Sequence, residues 1–481
     1  MSLKKQTVDG VIWSAIERFV SLGVQFIIMI IIARVLSPSD YGLIGMLFVF
    51  IALGGVILDA GFGQALIRKT DVTQIEFTSV FYFNIMMSIL IYLLLFMAAP
   101  YIAKFYNTPE LERIAKFVFL IFPIKALGII QNTIIVKAVA FKLMTKISLS
   151  AALLSGIIGI LMAYDGYGVW ALVYQSLLFA LFNTLFLWIF NGWRPLLKFD
   201  MNPIKQMFSF SFNLLTTNVI IVLFNNIYTL LIGQYYPLVE VGFYNQAKRL
   251  QEIPSQSLTA IVQRVSYPVL SKLNGQNENL KRGYKKIINQ TIFLNFPMML
   301  GFLAVSNNLI YVLLSEKWLP CVPYFQLLCL YGAIFPLHSI NINILKVIGK
   351  SKKILQLEII SRIIIVVAIL LTLKRGIIPL LTGQVITAVI FILINMYFCG
   401  KEINFKVKEQ VLDVVPYFLV ATFSAGIMAT IGFFLSENPA LVLCLQVIIG
   451  MIFYFLLSHL FKLSAYIEYK NILLNLIKRK H

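Results

Sequence analysis

Charge is scarce in this chain: 12% of its 481 residues are charged, while 60% are hydrophobic. A soluble globular domain has about 25% charged residues and is roughly half apolar, so a chain bathed all round in water is excluded. Acids are scarcer than bases, 20 against 40, which gives a formal charge of +20. Histidine occurs three times and cysteine four times, at Cys321, Cys329, Cys399 and Cys444, with no CxxC spacing. Scattered histidines and such cysteine spacings argue against a metal centre and against a disulfide framework. The cysteines lie mostly in apolar runs and read as packing residues. No G-x-x-x-x-G-K-[ST] string occurs, so no Walker-type loop hydrolyses nucleotide in this chain. No catalytic residue, metal or cofactor is expected.

What is there is apolar sequence, in long runs from Val11 to Phe461, with mean hydropathy +0.87. A helix of about 20 residues crosses the hydrocarbon of a bilayer. Spans read at 11–34, 41–66, 79–99, 114–136, 147–165, 168–190, 208–236, 250–270, 287–314, 323–346, 354–373, 377–399, 413–435 and 440–461. The fold class is therefore an all-α polytopic membrane protein of about fourteen helices. The eighth span is the least apolar, because Gln256, Gln263 and Arg264 give it the amphipathic character of a surface helix. The first run contains Glu17 and Arg18 and lacks an A-x-A exit, so it reads as a retained helix and not a cleavable signal.

Lys and Arg fall unevenly about these spans. Counting span-end residues with the adjoining loop, 27 lie on the side of the N-terminus and 9 on the other. The remainder are Arg18, Lys125, Arg264 and Arg362, inside spans. Such a bias places both termini in the cytoplasm by the positive-inside rule. It also accounts for most of the positive charge without invoking nucleic acid, which a basic soluble protein would suggest.

The two halves carry matching marks in the same order. Pro38-Ser-Asp40-Tyr-Gly42 follows the first span, and Pro237-Leu-Val-Glu240-Val-Gly242 follows the seventh. Gln64 and Arg264 each stand 22 residues beyond those glycines. Phe122-Pro123 in span four corresponds to Phe335-Pro336 in span ten. Gly168-Val-Trp-Ala-Leu-Val-Tyr-Gln175 opens span six, and Gly376-Ile-Ile-Pro-Leu-Leu-Thr-Gly-Gln384 opens span twelve. An even number of helices separates the copies, so the repeat is parallel, about an axis along the membrane normal. The domains expected are an N-terminal six-helix lobe (1–200), a second six-helix lobe (201–410), and two further helices with a basic tail (411–481). Two such lobes facing each other make a cleft, and repeat-built bundles of this kind are typically transporters.

The stretch Ala33-Arg-Val-Leu-Ser-Pro-Ser-Asp-Tyr-Gly42, followed by Leu58-Asp-Ala-Gly-Phe-Gly-Gln-Ala-Leu-Ile67 and Tyr167-Gly-Val-Trp-Ala-Leu-Val173, resembles the polysaccharide transporter (Wzx-type flippase) family. The likeness is nearest to its colanic acid and lipopolysaccharide exporter branch and strongest over residues 1–200. It implies the fold of the multidrug/oligosaccharidyl-lipid/polysaccharide exporter superfamily. It also implies an inner-membrane flippase that carries an undecaprenyl-pyrophosphate-linked oligosaccharide from the cytoplasmic to the periplasmic leaflet, for surface polysaccharide assembly. An H+ or Na+ gradient is the implied drive, antiport the implied mode, and the polysaccharide polymerase machinery a further partner.

Ionisable groups at bilayer depth usually face a bundle interior or a wet cavity. Span one places Ser14, Arg18, Ser21 and Gln25 on one helical face. Span seven carries Asn218 and Asn225, span eight Gln263 and Arg264, and span two Asp59 among glycines. In the family these four helices border the cleft. A pyrophosphate crossing the membrane must exchange its hydration for donors; arginine offers a planar fork, and Asn or Gln can replace water around sugar hydroxyls. The expected substrate-binding residues are Arg18, Gln25, Asp59, Asn218, Asn225, Gln263 and Arg264. Glu17, Asp59 and His338 are the candidates for ion coupling, His338 because imidazole titrates near neutral pH. A salt bridge of Arg18 with Asp59, or a packing role for a lone histidine, are the structural alternatives. Glu358 and Arg362, at i and i+4, are expected to pair. Two other functions compete. A multidrug exporter of the same superfamily takes mostly cations, which Arg18 and Arg264 would disfavour. A polytopic glycosyltransferase or polymerase needs sizeable extracytoplasmic loops, and the longest read here is Pro100–Arg113.

Overall fold

The computed structural model describes residue 20 and residues 22–59, 61–435 and 438–478. Among them the chain is all-α, with no strand. Among the described residues twelve helices are long and apolar enough to cross a membrane, and a shorter apolar helix spans Leu22–Val35 (α1). The protein is thus a multi-pass membrane protein. In hydrocarbon every backbone N–H and C=O must be satisfied inside the segment, which is why apolar runs of this length become helices.

The chain forms two compact units, residues 1–245 and 246–481. In the first, α1 is followed by α2 (Pro38–Asp59), α3 (Phe62–Arg68), α4 (Gln74–Phe105), α5 (Glu110–Val118), α6 (Ile121–Lys137), α7 (Phe141–Tyr164), α8 (Val169–Phe190) and α9 (Asn202–Tyr235). Helix α10 (Leu238–Lys272) begins in the first unit and continues into the second. The second holds α11 (Asn277–Ala304), α12 (Ser306–Leu314), α13 (Val322–Val347), α14 (Ser351–Thr372), α15 (Ile377–Glu402), α16 (Val407–Phe434), α17 (Pro439–Leu460) and α18 (Ser464–Lys478). Helix starts follow local chemistry. Ser37 and Asp40 cap α2 reciprocally, the Asp40 amide donating to Ser37 Oγ at 3.3 Å and the Ser37 amide to Asp40 Oδ2 at 2.9 Å. Thr73 and Glu76 do the same for α4. These are capping boxes, which satisfy donors the first helical turn leaves open.

Several expected boundaries move. Span two is two helices, α2 ending at Asp59 and α3 starting at Phe62, with Gly61 before α3 at φ 78°. Span four is two helices, α5 and α6, and Pro123 falls in the first turn of the second. Span nine divides at Val305 into α11 and α12. The loop expected over Pro100–Arg113 shrinks to residues 106–109, because α4 runs through Pro100 to Phe105. The first part of span one, including Glu17 and Arg18, lies outside the described residues.

Span eight is part of a 35-residue helix, α10, that starts twelve residues before the expected 250. It is not among the twelve apolar candidates, and its burial explains why. Gln251, Ser255, Thr259 and Ser266 are buried, while Ile261, Val265, Tyr267 and Val269 are exposed. Small polar side chains turned inward suit helix packing in lipid, but Gln256 and Gln263 are exposed beside the apolar residues, and polar groups on both faces lower the average hydropathy.

Close helix packing here rests on small residues. Gly128 of α6 lets α8 approach so near that an added Cβ would lie 3.1 Å from Thr184 Oγ1. Thr184 Oγ1 donates to the Ile124 carbonyl and Asn191 Nδ2 to the Gln131 carbonyl, both at 3.1 Å. Polar groups thereby join helices where hydrophobic burial between them offers little gain.

Candidate functional site

In the first unit, the marks that begin α2 and α10 touch each other. A Cβ on Gly42 would lie 2.3 Å from the Leu238 carbonyl oxygen, and one on Gly242 would lie 1.9 Å from that of Pro38. With an offset of 200 residues these two contacts are one contact counted twice, as a two-fold relation between the motifs requires. Gly168, φ 57°, caps α8 and stands against Asp40, whose Oδ1 would be 3.3 Å from an added Cβ. Gly376, φ 112°, caps α15 in the same way.

Asp59 ends α2 and is exposed. Its Oδ1 and Thr133 Oγ1 of α6 both crowd the Cα of Gly63, at 3.3 and 3.2 Å from an added Cβ. Gly61 packs on Leu214 of α9, one turn before the half-buried Asn218. Asp59 and the Asn218 stretch are therefore neighbouring parts of one unit. Asn225 is exposed two turns further along α9, and Gln25 is half-buried on α1. Gln263 is exposed on α10; Arg264 follows it in that helix, with its side chain outside what the structure describes. Arg18 and Glu17 are likewise outside the described residues. Sequence reasoning missed Asn84 of α4, which is fully buried with both amide atoms lacking a partner among the described residues. A single Asn within the apolar run 80–99 was the available signal.

In the second unit, polar side chains gather between α13, α14 and α15. His338 of α13 sits with Nδ1 3.0 Å from Asn395 Nδ2 of α15 and Nε2 3.9 Å from Glu358 Oε1 of α14. Glu358 Oε2 accepts from Arg362 Nη2 at 3.0 Å, so the expected i,i+4 pair forms. The Phe391 ring leans on the imidazole, centroids 5.0 Å apart. Arg362 lies eleven residues into α14, roughly 16 Å at 1.5 Å per residue, about half of a hydrocarbon core some 30 Å thick. An ion pair and an imidazole at that depth are what function, and seldom stability, retains. The sequence singled out His338, and the structure brings it to Glu358 and Arg362. It missed Asn395.

A second polar layer lies deeper. Tyr284 Oη is 2.5 Å from Asn341 Oδ1 and 3.1 Å from Gln410 Oε1. Gln410 Nε2 donates to the Met396 and Phe405 carbonyls at 2.9 and 2.8 Å. Pro336, inside α13, has no N–H for the Gly332 carbonyl four residues back. Asn295 Nδ2 of α11 takes over, 3.2 Å from Gly332 O and 2.8 Å from Ala333 O. This layer holds the helices that carry His338 and Asn395.

Residues 31–323 match a family described as "Polysaccharide biosynthesis protein". The teichuronic acid biosynthesis protein TuaB of Bacillus subtilis (strain 168) is 26% identical over 352 residues, 73% of this chain and 73% of that protein. The lipopolysaccharide biosynthesis protein WzxC of Escherichia coli (strain K12) is 27% identical over 340 residues, 69% of this chain and 68% of that one. Among solved structures, the lipid II flippase MurJ in an inward closed conformation superposes with a TM-score of 0.70 at 17% identity, covering 94% of this chain and 98% of that one. At that identity the likeness establishes a shared polytopic helical fold.

Proposed function

This chain belongs to the polysaccharide biosynthesis protein family, and from that premise we propose that it is a flippase for a lipid-linked oligosaccharide. The substrate is an undecaprenyl-pyrophosphate-linked glycan. It moves from the cytoplasmic to the periplasmic leaflet of the inner membrane and feeds assembly of a surface polysaccharide such as O-antigen, capsule or exopolysaccharide. The observation that carries the reading is the family match over residues 31–323. The relatives named for lipopolysaccharide and teichuronic acid biosynthesis and the fold shared with a lipid II flippase support it.

In this reading residues 1–200 and 201–410 act as repeat-related six-helix lobes, and 411–481 adds two crossings with both termini cytoplasmic. Arg18 and Arg264 supply charged donors to the pyrophosphate, while Gln25, Asn218, Asn225 and Gln263 replace water around the sugars. The lipid tail stays in the bilayer, so only the head group needs donors. An ion gradient drives alternating access, with Glu17, Asp59 and His338 as the titratable groups within spans, and the polymerase machinery takes the product. Proteoliposomes loaded with fluorescent polyprenyl-pyrophosphate oligosaccharide test it. Transfer between leaflets should exceed that of protein-free vesicles and respond to a pH or Na+ gradient. Efflux of cationic drugs without movement of the lipid would replace this reading with that of a multidrug exporter.

A further inference from the structure

We infer that His338 and Asn395 form a reversible proton-binding site in the second unit, with the Glu358–Arg362 ion pair as its counter-charge. The inference rests on the proposed gradient-driven transport and names both the ion and the place where it binds. Asn395 Nδ2 is a donor 3.0 Å from His338 Nδ1, so in this arrangement Nδ1 is an acceptor and the ring proton sits on Nε2. That N–H points toward Glu358 Oε1, 3.9 Å away.

The other end of the amide is the telling part. Asn395 Oδ1 is buried and without a hydrogen-bond partner among the described residues. Leaving such an acceptor unmade is costly, and a packing role for Asn395 does not call for it. Once a proton binds Nδ1, the imidazolium has donors on both nitrogens. A half-turn of the amide then presents Oδ1 to Nδ1–H, so one side chain serves both protonation states. The charge balance also closes. Glu358 and Arg362, 3.0 Å apart, sum to zero, and the added proton makes the cluster singly positive, with the carboxylate facing the new cation.

The surroundings contain the groups such a site needs. On α14 these are Glu358 and Arg362. On its own helix His338 feels Lys346. Tyr331, also on α13, lies within electrostatic reach of Arg362 and of Glu252 on α10, where Glu252 approaches Lys248 at 3.9 Å. From α11 come Asn295 and the phenol of Tyr284, both engaged in hydrogen bonds. From α15, Asn395 and Phe391 complete the enclosure.

The test reads the ring itself. Full-length protein with 15N-labelled histidine is placed in nanodiscs and followed by NMR from pH 3.5 to 9, with His338→Asn assigning its signal among the three histidines. The signal should be that of the Nε2–H tautomer at high pH and should protonate reversibly. Glu358→Gln should move its midpoint down and Asn395→Asp should move it up, each by about one unit, as a neighbouring charge does. A ring that never titrates, or a midpoint indifferent to both substitutions, overturns the site. A transport arm separates this from the parent reading. With labelled lipid-linked oligosaccharide in proteoliposomes, His338→Asn should abolish the response to a pH gradient. If oligosaccharide crosses with its pH response intact in that variant, the proton site falls and the flippase stands. If the ring titrates as described but no lipid-linked oligosaccharide crosses, the flippase reading falls and the site remains.

Discussion

Pro336 withholds an N–H from the Gly332 carbonyl, and Asn295 supplies one from the neighbouring helix. Asn295→Ala should therefore lower stability by about 1–3 kcal/mol, the cost of buried carbonyls left unpaired. Adding Pro336→Ala restores the backbone donor, so thermal unfolding of the double variant should show a large part of the loss recovered, a coupling that independent sites would lack. Arg264 sets a functional test at the same scale. A charge-assisted bond to pyrophosphate is worth about 1.5–3 kcal/mol, and 1.4 kcal/mol is a decade of affinity. Arg264→Ala should reduce glycan export about ten- to hundredfold at unchanged membrane abundance, with Arg264→Lys recovering part, because lysine keeps the charge and loses the fork. Normal export at normal abundance would remove it from the mechanism. Sequence alone made the charged members of the second-unit cluster legible, because His338, Glu358 and Arg362 break apolar runs. Asn395 and Asn295 were passed over because a lone amide in an apolar run looks alike whether it fastens a helix or serves an imidazole; only the distance to a partner tells.

Hydropathy located the elements well and their breaks poorly. The ends of α2 at Asp59, of α5 at Val118 and of α11 at Ala304 all fall inside runs that hydropathy averages into one span, so a few polar or glycine residues at the break do not register. Helix α10 was hard for the opposite reason: polar residues occur on both its buried face (Gln251, Ser255, Thr259) and its exposed one (Gln256, Gln263) and dilute its average. The glycine marks, by contrast, were informative, and their reciprocal seating sharpens what they do. In α2, a Cβ on Gly55 would meet nothing within 4 Å, whereas on Gly42 it would press on the Leu238 carbonyl oxygen at 2.3 Å. Gly55→Ala should thus be neutral or stabilise α2 by up to about 1 kcal/mol through helix propensity. Gly42→Ala and Gly242→Ala force backbone apart and should each destabilise by about 1–3 kcal/mol or more. Folded fraction after detergent extraction, measured by size-exclusion chromatography, orders the three variants. Equal recovery of all three would mean that the two motifs do not seat on each other.

Charge works over the whole molecule in a way that no single pair shows. In the second unit Lys281 pairs with Glu409 at 3.1 Å, Lys285 with Asp413 at 2.7 Å and Lys286 with Glu468 at 2.9 Å, while Lys353 binds Glu402. All of these groups belong to the end of the unit at which α11 starts, α15 ends and α16 starts. The acids there are engaged one by one, but orientation follows the number of Lys and Arg, with Asp and Glu contributing little. By that rule the 27-to-9 distribution of Lys and Arg predicts that this end faces the cytoplasm. Fourteen crossings follow only if α1, with the residues before it, and α10 both span. At about 1.5 Å per residue α10 is long enough, and its outward apolar side chains suit lipid. Single cysteines decide the matter in intact cells treated with a membrane-impermeant maleimide. Three native cysteines are buried, and Cys444, the exposed one, can be replaced by alanine to clear the background. Asn107→Cys, in the turn between α4 and α5, and Asn438→Cys, before α17, should be labelled from outside. Lys352→Cys, at the start of α14, should react only after the membrane is opened. Without a crossing by α10, an odd number of spans would separate Asn107 from Asn438 and put them on opposite sides, so labelling of one without the other would show that α10 lies on the surface and does not cross. Labelling of Lys352→Cys from outside would reverse the orientation altogether, and with it the direction in which a glycan could be delivered.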